Sequence, residues 1–136
     1  MVPSMYAFQP WQQFEDLVRQ ILEANGFNVV LHSPRGDPGY DFRASRGDEG
    51  WAVEVKYYRT NRAQPRLLEA AAARVAHRRS GAQELRGMLV VSCVIPPPMR
   101  MALEQQFGVT FIDRLDLDAL ASKDPLLTGE VQALLG

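Results

Sequence analysis

Cysteine is nearly missing from this chain of 136 residues, and that narrows its chemistry at once. The lone Cys93 excludes an internal disulfide and any cysteine-based zinc site. Its place inside an apolar run predicts a small buried hydrophobe rather than a reactive thiol. Histidine is scarce too: His32 and His77 do not have the spacing of a ligand pair, and His77 suits the end of a helix, where it complements the dipole. No apolar run is long enough to span a bilayer and no secretion signal marks the N-terminus, so no membrane partner and a cytoplasmic setting are expected. Repeats and low-complexity tracts are also absent. What remains has the composition of a soluble globular domain, 46% hydrophobic and 23% charged, of a size for one core.

A large net charge is likewise lacking, at −1, but the charges are unevenly placed. Residues 55–80 carry Lys56, Arg59, Arg62, Arg66, Arg74, Arg78 and Arg79 against Glu69 alone, while the chain from Met101 onward leans acidic. A basic segment of this kind suits either phosphate binding or a solvated helix face.

Periodicity divides the chain into alternating elements. Residues 10–25 predict a helix, with Phe14, Leu17, Val18, Ile21 and Leu22 on one stripe, Glu15 at its border and Gly26 as the stop. A short strand at 27–31 precedes a loop rich in breakers, 32–39. Residues 40–45 alternate, with Tyr40, Phe42 and Ala44 against Asp41, Arg43 and Ser45. After a turn at 46–50, residues 51–58 alternate again, which predicts a hairpin. A helix is expected over 65–79, its Leu/Ala stripe packed in the core or against a second copy. A strand buried on both sides is expected over 88–95, then a helix at 99–107, a strand at 109–112 and C-terminal helical segments. The order α-β-β-β-α-β-α-β-α implies a mixed sheet flanked by helices.

Chemistry concentrates in Glu54-Val55-Lys56. Alternation on a strand sends Glu54 and Lys56 to one face and Val53 and Val55 to the other. Asp41 lies thirteen residues earlier on the partner strand, so two carboxylates and an amine can meet at one sheet edge. That equipment suits a divalent metal and a water activated beside a phosphate. The bland alternative is an exposed strand lysine paired with a neighbouring glutamate. Trp51, Tyr57 and Tyr58 are expected to pack rather than stack on bases.

Order and polar residues together resemble the PD-(D/E)xK nuclease superfamily, and most of all its Mrr-type restriction endonuclease branch. The matching segments are Phe14-Glu15-Asp16-Leu17-Val18, Asn25-Gly26-Phe27, Gly39-Tyr40-Asp41, Glu54-Val55-Lys56-Tyr57 and Phe107-Gly108-Val109-Thr110-Phe111-Ile112-Asp113, with Leu115 to Leu120 as the short helix that follows. The resemblance implies an α/β fold with a restriction endonuclease-like α-β-β-β-α-β core. It implies a catalytic set of Glu15, Asp41, Glu54 and Lys56. Asp41, Glu54 and the Val55 carbonyl would bind Mg²⁺, for which Mn²⁺ can substitute, with Glu15 reaching it through water and Lys56 orienting the attacking water. The motif's proline is replaced by Tyr40, and many members of the branch carry Gln where Glu54 stands.

The chain is accordingly expected to be one nuclease-like domain over residues 1–136, with a core at about 11–121 and a helical extension over 122–136. Its expected function is metal-dependent endonucleolytic hydrolysis of DNA phosphodiester bonds, leaving 5′-phosphate ends, in restriction or defence against foreign DNA. Arg35, Arg59, Arg62 and His32 are candidates for nucleic-acid contact because they flank the site in loops. No separate sequence-reading motif is present, so targeting is expected from a further domain, a larger defence assembly or a homodimer. The rivals are a silent nucleic-acid-binding or protein-interaction module of the same fold, and a DNA-repair or junction-resolving nuclease.

Overall fold

The computed structural model describes residues 9–31, 41–79 and 85–136. The elements run α1 (Pro10–Ala24), β1 (Asn28–Leu31), β2 (Phe42–Arg46), β3 (Glu49–Lys56), α2 (Pro65–Arg79), β4 (Leu85–Val91), α3 (Pro97–Phe107), β5 (Val109–Ile112), α4 (Arg114–Ala121) and α5 (Pro125–Leu135). The expected breaker loop, Tyr40 and the stop after α2 fall outside the described residues.

Five strands form one mixed sheet in the order β1-β2-β3-β4-β5. The first three are antiparallel neighbours, and β3-β4 and β4-β5 run parallel, as helical crossovers require. Alternation sorts the residues of β2 and β3 between the two faces. Phe42, Ala44, Val53 and Val55 join Met88, Val90 and the α1 stripe in one core, which α4 and α5 complete with Leu117, Ala121, Leu127 and Val131. Leu89, Val91, Cys93, Ile95 and Phe111 form a second core on the other face with Leu68, Ala71, Ala72 and Val75 of α2. Each large side chain buried this way is worth about 1.5–3 kcal/mol, so the five buried residues of α1 fix its seat firmly. Asn25 adds a polar tie, donating to the carbonyls of Ile21 at 2.8 Å and Leu120 at 2.9 Å.

The elements differ from the sequence expectation mainly at their ends. The hairpin closes more tightly than the five-residue turn expected: strand pairing continues to Arg46↔Glu49, leaving Gly47 and Asp48 as the loop. Gly47 takes φ +60° at the first central position, which two-residue hairpins reserve for glycine. Tyr57 and Tyr58 lie beyond the end of β3. Strand β4 begins and ends earlier than 88–95. Gly87 does not interrupt it, because it pairs with both Ala52 and Val109 inside the sheet. At the far end the Ser92 hydroxyl accepts from the Tyr58 N–H at 2.7 Å and donates to the Tyr58 carbonyl, drawing the chain out of the sheet. Cys93 and Ile95 stay buried although they are past the strand. Helix α3 starts at Pro97, two residues before the predicted 99, since prolines suit a first helical turn.

Candidate active site

Asp41 stands at the threshold of β2 rather than within it. Its N–H donates to the Val53 carbonyl at 2.9 Å, and its Oδ2 accepts from the Val55 N–H at 2.7 Å. The side chain thus takes over the ladder where β2 begins, which fixes the carboxylate beside β3. Phe42 pairs with Val53, and the Asp41 N–H donates to the same Val53 carbonyl, so Asp41 sits just before the first paired residue of β2. A strand residue's N–H and C=O leave on the same side, so the Val55 carbonyl is directed toward Asp41 as well.

Glu54 projects from the other face of β3, among the residues that α2 covers, and is buried. Its Oε2 is buried without a hydrogen-bond partner. Arg74 of α2 places Nη2 3.6 Å away, an ion-pair separation too long for a hydrogen bond. Burial pushes the Glu54 carboxyl above its ordinary value; the Lys56 and Arg74 charges oppose this and the Asp41 charge adds to it. A buried carboxylate with an unsatisfied oxygen is costly to keep in a core that has no use for it.

Lys56 ends β3, half buried, where its carbonyl accepts the Ser92 N–H at 3.2 Å. Glu15 reaches the same end from α1 at the border of the buried stripe. It lines a small cleft of about 100 Å³ with Gln12, Asp16, Arg19, Leu31 and Phe42. Burial raises the Glu15 carboxyl, the Asp41 charge raises it further, and Lys56 works against both. Asp41 and Lys56 therefore act on both glutamates, and the four groups share one electrostatic neighbourhood at the end of β3.

Among the described residues no three of His, Cys, Asp and Glu form a ready metal-binding group. A divalent cation would find a smaller set of candidate donors here: Asp41, Glu54 with its unbonded oxygen, and the Val55 carbonyl. That fits Mg²⁺, which takes one or two carboxylates and keeps waters and substrate oxygens for its other positions. It does not fit a metal that demands a full protein cage.

Arg59 and Arg62 are exposed in the loop after β3. The Arg62 N–H donates to Thr60 Oγ1 at 3.1 Å, and Arg62 bridges to Val94, which holds that loop against the segment after β4. His32 and Arg35 lie outside the described residues. Arg74 was not among the site residues expected from sequence. Its signal was its place three residues after the buried Ala71, on the shoulder of the α2 stripe. Larger grooves lie elsewhere: one of about 500 Å³ runs between α1 and α5, and another of about 450 Å³ lies around Pro96, Met101 and Leu115. Neither includes Asp41, Glu54 or Lys56.

Comparison with known proteins bears on the family and the fold. The Mrr_cat family model, described as a restriction endonuclease, matches residues 7–121. A crystal structure of a protein of unknown function, AF1548, superposes with a TM-score of 0.60 at 14% identity, over 90% of this chain and 78% of that one. That likeness concerns the fold alone. No curated protein matches the chain.

Proposed function

Because the chain belongs to the Mrr-type restriction endonuclease family, we propose that it is a metal-dependent DNA endonuclease that hydrolyses phosphodiester bonds in restriction or defence against foreign DNA. The observation that carries this reading is the Glu54 carboxylate, buried with an unbonded oxygen beside Asp41 and Lys56. Asp41 and Glu54, with the Val55 carbonyl, would hold Mg²⁺. When bound there, Mg²⁺ supplies Lewis-acid stabilisation of the phosphate and makes water easier to deprotonate. Asp41 is oriented for its part by the Val55 N–H, which leaves little conformational freedom to lose. The Lys56 ammonium orients the attacking water and offsets the negative charge that grows on the phosphoryl oxygens. Glu15 positions water from the α1 side. Arg59 and Arg62, exposed beside the site, hold the flanking phosphates.

Cleavage of supercoiled plasmid tests the reading, with Mg²⁺ or Mn²⁺ against EDTA. The wild type nicks or linearises DNA only with the metal, and Asp41→Ala or Lys56→Ala lowers the rate by about 100-fold or more while the fold stays intact. Equal cleavage by the wild type and both variants would trace the activity to a contaminant and remove the reading. No cleavage, with DNA binding retained, would favour a silent module.

A further inference from the structure

Arg74 sits on the outer shoulder of α2, between buried Ala71 and Val75. Its guanidinium approaches Glu54 Oε2 to 3.6 Å and stops short of hydrogen bonding. Oε2 receives charge compensation from it without a donor, and its hydrogen-bonding capacity is left unused. The two partners also differ in access: the Arg74 side chain is 42% exposed and that of Glu54 only 10%. The arginine can withdraw into water at little cost, whereas the carboxylate cannot. The contact is not the bidentate form, the strong geometry of an arginine-carboxylate pair.

We propose that Arg74 is a positioning residue that neutralises Glu54 until a divalent cation takes Oε2, and then yields its place. This rests on the metal-centre reading above. Arg74 and the metal compete for one carboxylate, so the arginine lowers metal affinity while keeping Glu54 tolerable in the metal-free protein. Once released, its cationic head is free to turn toward a substrate phosphate at the same end of the sheet.

The test is calorimetric titration of Mn²⁺ into the DNA-free protein, comparing the wild type with Arg74→Gln and Arg74→Lys. Arg74→Gln binds Mn²⁺ roughly fivefold more tightly, the upper end for loss of one partly exposed charge, and Arg74→Lys stays near the wild type. Thermal melts in EDTA give a second readout. Arg74→Gln lowers the midpoint, Mn²⁺ restores it, and in a Glu54→Gln background the same change has no effect. Unchanged or weaker Mn²⁺ binding by a folded Arg74→Gln overturns the proposal. A wild type that binds no Mn²⁺ overturns the metal-centre reading beneath it, a distinguishable result.

Discussion

Burial of Glu54 works against its charge, and the direction of that conflict can be measured. Its carboxyl is raised above the ordinary value of 4.5, chiefly by desolvation. An acid whose folded value exceeds its unfolded one costs stability when both states are ionised. The cost is relieved as pH falls through the folded value toward 4.5, because the folded state takes up the proton first. In EDTA, Glu54→Gln should therefore melt above the wild type at neutral pH. The gap should narrow on acidification and close below the unfolded value. A gap that does not change with pH would mean that Glu54 is not strained by its surroundings. The spacing of Glu54 and Lys56 made them legible in the sequence, because strand alternation puts them on one face. Burial was not legible, because it depends on α2 crossing that face. Arg74 was hidden for the same reason. Alternation puts Asp41 inside a strand, yet its side chain does the work of a backbone acceptor at the strand's threshold.

Asp113, which links β5 to α4, carries an unusual share of the local order. Its Oδ1 accepts from the Leu115 and Asp116 N–H groups at 3.0 and 3.1 Å, and its Oδ2 accepts from the Ile95 N–H at 3.0 Å. It caps a helix and satisfies a buried donor in the segment that leaves β4. Asp113→Ala should cost about 2–4 kcal/mol, adding a lost cap to an orphaned buried N–H. Denaturant unfolding measures this, and Mn²⁺ affinity should not change; a loss below about 0.5 kcal/mol, the range of a neutral surface change, would refute the double role. The outer edge of β5 is protected in a related way. The Phe111 N–H donates to Glu104 Oε2 at 2.9 Å and its carbonyl accepts from Arg100, so polar side chains blunt that edge. Element types were legible because their periods are strong. The ends of β4 were not, since the apolar run from Met88 to Ile95 records burial, and burial continues past the last paired residue.

Across the whole molecule, β3 lies between two cores, with α1 on one face of the sheet and α2 on the other. At the end of β3, Glu15 from one face and Glu54 from the other both feel the charges of Asp41 and Lys56, which is why the proposed site is put there. The basic residues from Lys56 onward begin at the same point, in a chain whose net charge is only −1. Near-neutrality of the chain as a whole means that attraction for a phosphate backbone has to come from local groups of basic residues rather than from the net charge. Arg59 and Arg62 are exposed in the loop that leaves β3, which makes them the phosphate contacts of the proposed reading. Arginines that grip phosphates position DNA without reading bases, so Arg59→Ala and Arg62→Ala should weaken binding by similar factors on unrelated sequences. Either substitution should also flatten the dependence of log affinity on log salt by about one unit, and the double variant by about two. Fluorescence anisotropy on two unrelated duplexes, with the metal withheld to prevent cleavage, measures both effects. If the double variant kept the wild-type salt slope, the phosphates would be held elsewhere, and the basic run after Lys56 would be no more than a solvated face.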